Sequence, residues 1–317
     1  MPALASGAWI MAIQRFASLA GSIAIAALIS FANPALADVS VSINGNVATA
    51  LIELPSAETP TYTATVTITF DSVVNLTRDS LNLTAQIVDP NTFTGLPAQV
   101  AIDPDFPVLI SVEPPVPLFL NGFEAGETGN GSLYFFNTYE LEIHTVDLAC
   151  ASSGSTYRLY KAPHGSNSFG DVTDDLYAGS VRARGRGGAF SQFVIANDQR
   201  PQTILGLPVI ALQKLTTLTT RLLGSASITG ALLTTLTDLL GQVSANLLTL
   251  NIGGALGALS NFIADVTAGT QNGQIANEWA AGGSLSNDAG ELLSLAQTLN
   301  FTLQLLQGAP VCQPAPN

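Results

Sequence analysis

Two histidines, a cluster of aspartates and an alternating row of arginines carry the chemistry that this chain's residue types could perform. His144 lies two residues from Glu142 and four from Glu140. Alternate residues of a strand point the same way, so these three potential metal ligands would share one face. Neighbours on such a face stand ~7 Å apart, too far for all three to reach one ion without help from a loop. A solvated face of an antiparallel strand accounts for the same residues. His164 sits in Ala162-Pro163-His164-Gly165-Ser166, a turn by composition, with Ser168 and the aspartates close behind. Nucleophile, base and acid must meet in space, which nearness in sequence does not supply, and the chain has no G-x-S-x-G elbow between a strand and a helix. A hydrolase centred on His164 therefore stands only as an alternative.

Asp171, Asp174 and Asp175 offer hard oxygen donors, and Asp103 with Asp105 offers a second acidic turn. Calcium held by Asp171, Asp174 and Asp175 is the one cofactor the sequence brings into view. Their spacing is not that of an EF-hand, and acidic turn caps explain the same residues. Arg182, Arg184 and Arg186 alternate along a strand into Gly187-Gly188. They form either a row that reads anions or a counterweight to the acidic surface. Gly185-Arg186-Gly187-Gly188 does not match a dinucleotide fingerprint. Cys150 and Cys312 are the only cysteines, and in an oxidising compartment two such residues are expected to be bridged.

That compartment is indicated at the N-terminus. Arg15 is the only charge before Asp38. An apolar run from Phe16 to Phe31 follows it, and the stretch closes on Ala35-Leu36-Ala37. Basic, apolar and small-residue segments in that order read as a secretory leader cleaved after Ala37, which places the mature protein in the periplasm, at the cell surface or outside the cell. The chain has 317 residues and a formal net charge of −13, with only two lysines, Lys161 and Lys214. Such a surface repels phosphate backbones, which excludes nucleic acid as a partner. Only 10% of residues are charged, far below the ~25% of ordinary globular domains.

Two periodicities divide the remainder. From Asp38 to residue 200 the chain alternates in twos. Thr61–Phe70 sets Tyr62, Ala64, Val66, Ile68 and Phe70 against threonines, the pattern of a half-buried strand. Further strands are expected at 39–43, 47–54, 81–88, 107–112, 132–148, 156–161, 177–184 and 190–196, with a bulge near His144 where the phase slips. Eight or nine strands with no helix between them predict an antiparallel, Ig-like β-sandwich. After Arg200-Pro201 the period becomes helical. Leu232, Leu233, Leu236, Leu239, Leu240, Val243 and Leu247 form one stripe, Leu292, Leu295, Leu299, Leu303 and Leu306 another, and Ile210, Leu212, Leu215, Leu218 and Leu222 a third, looser one. Gly224, Gly241 and Gly253-Gly254 are expected as stops. A C-terminal helical, bundle-like region over 201–317 is the result. No charge falls between Leu239 and Ala264, but Asn246, Asn251 and Asn261 interrupt the run, so no membrane span is expected after the leader.

The end of the first half carries a recurring shape. Arg158-Leu159-Tyr160-Lys161 ends a strand in a basic residue, Phe169–Thr173 turns, Gly179–Arg182 forms the next strand, and Gly187–Ile195 passes through Phe190-Ser191-Gln192-Phe193. This resembles an uncharacterised secreted bacterial β-sandwich family, a domain of unknown function, over about residues 60–198. The resemblance implies an exported sandwich and carries over no active-site residues. The sequence points first to a secreted or surface protein without enzymatic activity, its sandwich presenting loops and its charge-poor helices meeting a protein partner or a second copy. A carrier of a lipid or carbohydrate ligand is the second reading and the hydrolase the third.

Overall fold

Alternation builds the first sheet. In β2 (Val47–Leu54), and as far as Phe70 in β3 (Tyr62–Val74), every second residue is buried, among them Ala48, Ile52, Val66 and Ile68, and threonines fill the opposite face of that part of β3. The computed structural model describes residues 37–56, 61–116, 132–151, 154–163, 165–282 and 285–314. Residues 1–36 of the expected leader, which runs to Ala37, and His164 lie outside the described residues. β1 (Asp38–Asn44), β2, β3, β7 (Tyr134–Cys150), β11 (Gly179–Gly187) and β10 (Thr173–Tyr177) form one sheet in that order. The other runs β4 (Leu83–Ile87), β6 (Val108–Val112), β12 (Ser191–Asp198), β8 (Tyr157–Pro163), β9 (Gly170–Asp171), with β5 (Val100–Ile102) beside β12. Pairing is antiparallel in both. Ile52, Val66 and Leu141 from the first sheet and Ile110, Leu159 and Phe193 from the second share one apolar core.

Among the described residues thirteen strands stand where eight or nine are expected. The surplus consists of β5, β9, β10 and β13 (Glu278–Ala280), each of five residues or fewer, too short for alternation to register. The segment expected as a strand from Leu81 opens instead with a helical turn, α1 (Arg78–Leu81). Thr77 caps it by accepting from the Ser80 amide, and Asn82 closes it in the left-handed conformation. In β7 the phase slip falls just after His144. Pairing with β11 skips from Thr145 to Ala149, which leaves Val146 exposed and returns Leu148 to the core.

Four helices follow: α2 (Val209–Leu223), α3 (Gly230–Leu248), α4 (Ile252–Gln271) and α5 (Asp288–Leu306). Their buried stripes, Leu215, Leu218 and Leu222 on α2, Leu236, Leu240 and Val243 on α3, Leu292, Leu299 and Leu303 on α5, meet Leu259, Phe262 and Val266 of α4 in a second core. Gly224 ends α2 as expected. Gly241 does not end α3, and Gly253-Gly254 lie in the first turn of α4. A glycine inside a helix costs about 1 kcal/mol, less than burying Val243 and Leu247 beyond it contributes. Among the described residues no helix is long and apolar enough to cross a membrane.

The helical region returns to the sheets twice. β13 pairs with the start of β7 and lays Trp279 against Phe135 and Phe190. α5 packs on β7, β10 and β11, sending Phe301 into the core between the sheets. Where α2 and α5 face the β8–β9 edge, a cavity of about 500 Å³ remains.

Candidate functional site

The sequence-predicted candidates cancel one another on the first sheet. β11 pairs with β7 so that Arg182 lies opposite His144, Arg184 opposite Glu142 and Arg186 opposite Glu140. Arg184 reaches Glu142 at 2.8 Å and Glu140 at 3.2 Å, and Arg186 reaches Glu140 at 3.1 Å. The acidic row and the basic row are two sides of one ladder, because cross-strand neighbours on a face are in contact. His144 Nε2 meets Ser180 Oγ at 2.7 Å. Burial and then the charge of Arg182 push the imidazole below its usual value.

The three aspartates stand on strands rather than in a loop, and each turns to a different partner. Asp171, on β9, pairs with Lys214 at 2.7 Å and accepts from the amide and hydroxyl of Thr173. Asp174, on β10, pairs with Arg186 at 3.2 Å. Asp175 lies opposite Arg184 and hydrogen-bonds the Tyr177 phenol. Asp103 accepts from Tyr157 and Asn197. Among the described residues no group of three histidine, cysteine or acidic side chains is arranged to hold a metal ion. The sulfurs of Cys150 and Cys312 are at bonding distance, with Cα atoms 6.1 Å apart. This link fastens the end of β7 to the C-terminal segment, where Ala178 also donates to the Gln313 carbonyl at 2.8 Å.

The chemistry collects instead in the cavity, around residues that sequence reasoning passed over. Both lysines of the chain line it. Their scarcity was the available signal, and it spoke only of net charge. Lys214, from α2, is locked: its ammonium meets Asp171 at 2.7 Å and the hydroxyl and carbonyl of Thr298 on α5 at 2.7 and 3.1 Å. Burial disfavours charge on Asp171, yet Lys214 and Arg158 hold its carboxyl below the ordinary range. Arg200 is matched by Asp198 at 2.7 Å and by the Tyr160 hydroxyl. Glu291, on α5, is matched by Arg221.

Lys161 is the exception. It lies on β8 with its ammonium 5.7 Å from the centre of the Tyr139 ring. Among the charged side chains lining the cavity, it alone has no partner of opposite charge within ion-pair distance among the described residues. The space for it is made by Gly187, where a Cβ would stand 2.8 Å from Lys161 Nζ and inside the Tyr139 hydroxyl. Tyr139 is held by donating to the Ala189 carbonyl at 2.8 Å. Burial pushes Lys161 down to about 8, with Glu291 pulling the other way. Phe169, Val172, Ile210 and Leu295 make much of the remaining wall apolar. The arrangement presents one amine, pushed well below the ordinary lysine range by burial, to a small and mostly apolar volume.

No curated protein and no solved structure matches the chain. The family match takes in more of the chain than the resemblance over about residues 60–198 implied. It runs over residues 25–307 and so includes the helices and the two of them, α2 and α5, that wall the cavity. By that match the chain belongs to a family of unknown function, DUF6689.

Proposed function

We propose that this chain is an exported, non-enzymatic binding protein, in which an Ig-like sandwich and a helical region together hold a small, largely apolar molecule bearing one group that accepts from Lys161. Of the three readings the sequence leaves open, the ligand carrier draws most support from the geometry. The observation that carries it is Lys161: every other charge lining the cavity is answered by the chain itself. A half-buried cation without a counter-charge is costly in an apolar setting, and a ligand's acceptor group relieves that cost. Export draws on the leader that closes at Ala37 and on the Cys150–Cys312 pair.

Anilinonaphthalenesulfonate, an apolar ring system with one anionic group, is a suitable probe. Fluorescence titration of the native protein is expected to show one saturable site. Lys161→Met is expected to weaken it about tenfold or more, the worth of one charge-assisted hydrogen bond. Equal affinity in both proteins would remove Lys161 from the binding site. Native mass spectrometry of freshly purified protein reads the same cavity for a co-purified ligand.

A further inference from the structure

We propose that Lys161 is a nucleophilic amine that condenses reversibly with aldehydes or ketones entering the cavity, holding them as an imine. The inference rests on the cavity being a ligand site and names the ligand class. Three features of the geometry support it. First, among the described residues Lys161 has no carboxylate within ion-pair distance to fix it as an ammonium, whereas Lys214 is clamped between Asp171 and Thr298. Second, its head rests over the Tyr139 ring in space left by Gly187, beside a volume of about 500 Å³ large enough for a small carbonyl compound. Third, the charged groups that face it from the surrounding elements, Glu291 on α5, Asp171 on β9, Lys214 on α2 and Arg200 beyond β12, are tied to other partners or pair among themselves. With Lys161 pushed down to about 8 by burial, its neutral fraction at pH 7 exceeds that of an ordinary lysine by roughly two orders of magnitude.

The step needs no oxidant or reductant. The Nζ lone pair attacks the carbonyl carbon, the carbonyl oxygen takes a proton, and a carbinolamine forms. Loss of that hydroxyl with a proton from nitrogen releases one water and leaves the C=N bond. Hydrolysis reverses each bond change and frees the ligand unchanged.

The test uses hexanal with cyanoborohydride at pH 7. Hydride from the borohydride reduces the imine carbon and fixes a hexyl group on nitrogen. Peptide mass mapping then reads the two lysines separately, the N-terminal amine falling in a third peptide. Hexyl on Lys161 at least tenfold above Lys214 is expected, with anilinonaphthalenesulfonate protecting it. Lys161→Arg keeps a cation and removes the nucleophile. It is expected to take no label at position 161 and to leave Lys214 as slow as before. Equal labelling of both lysines, or an unlabelled Lys161 in protein that binds the probe, overturns the imine and leaves the binding site standing. Labelled Lys161 in protein that never binds the probe supports the imine and overturns the acceptor-group reading of the cavity.

Discussion

At Asp174 two effects of known sign compete, and burial outweighs attraction. One carboxylate oxygen meets Arg186, while the other is buried with no hydrogen-bond partner. Desolvation pushes the group up to about 8 despite Arg186, and Asp175 adds to the rise. The folded protein thus holds this proton more tightly than the unfolded chain does. Stability must fall as pH rises from the ordinary carboxylate range to about 8 and level off above it. Asp174→Asn keeps the shape and removes the ionisation. Urea midpoints of the two proteins are expected to coincide near pH 4 and to favour the variant by at least ~1 kcal/mol at pH 8. A variant that is weaker at pH 8 would mean that the Arg186 pair outweighs the desolvation of Asp174.

At the level of elements, α5 positions the cavity and one side chain positions α5. Asn287 accepts from the Gly290 amide at 2.9 Å as the helix cap, and donates to the Asn137 and Gly188 carbonyls at 2.6 and 2.9 Å. The approach is close because Gly188 and Gly290 carry no side chain: a Cβ on either would enter the opposing backbone. Asn287→Ala removes a cap and strands one buried and one part-buried carbonyl, a loss of about 2–4 kcal/mol. Chemical denaturation should show that loss together with weakened probe binding, since Glu291, Ser294 and Thr298 on the same helix line the cavity. Unchanged stability would place the anchor of α5 elsewhere, in Asp288. That carboxylate accepts from Ser225, Ser227, Ser286 and Arg221 and is held far below its ordinary value by those bonds against the opposing effect of burial. These elements differ in how well the sequence announces them. Val47–Leu54 is legible to the residue because one face is fully buried, and the stripes of α2, α3 and α5 are legible for the same reason. Gly241 misleads, because a stop signal is local and the packing that overrides it is not. The cavity is hardest to see. Lys161, Asp171, Lys214 and Glu291 come from four elements, and periodicity says which face each residue takes but not which faces meet.

The whole molecule is held by links that cross the change of period at Arg200-Pro201. β13 extends the first sheet and brings the Trp279 ring to 5.1 Å from both Phe135 and Phe190. Phe301 of α5 belongs to the core between the sheets. Lys214 of α2 clamps Asp171 of β9. Cys150 and Cys312 close a loop across a separation of 162 residues. Each link joins the region after Arg200-Pro201 to the sheets or the core between them, so neither region can lose its order without exposing apolar surface or unpaired charge in the other. Unfolding is therefore expected to be a single transition, with helix ellipticity and Trp279 fluorescence changing together along a urea series. Reduction, or Cys312→Ser, frees the long loop in the unfolded chain and should lower stability by up to about 5 kcal/mol in the chain-entropy account. The two probes should stay coincident after the bond is cut, because β13, Phe301 and the Lys214–Asp171 pair still join the regions. If ellipticity and fluorescence separate only after reduction, the disulfide is what couples the regions, and the cavity between them would loosen with it. If they separate even with the bond intact, the cavity walls belong to independent units, and probe binding would be lost at the earlier transition.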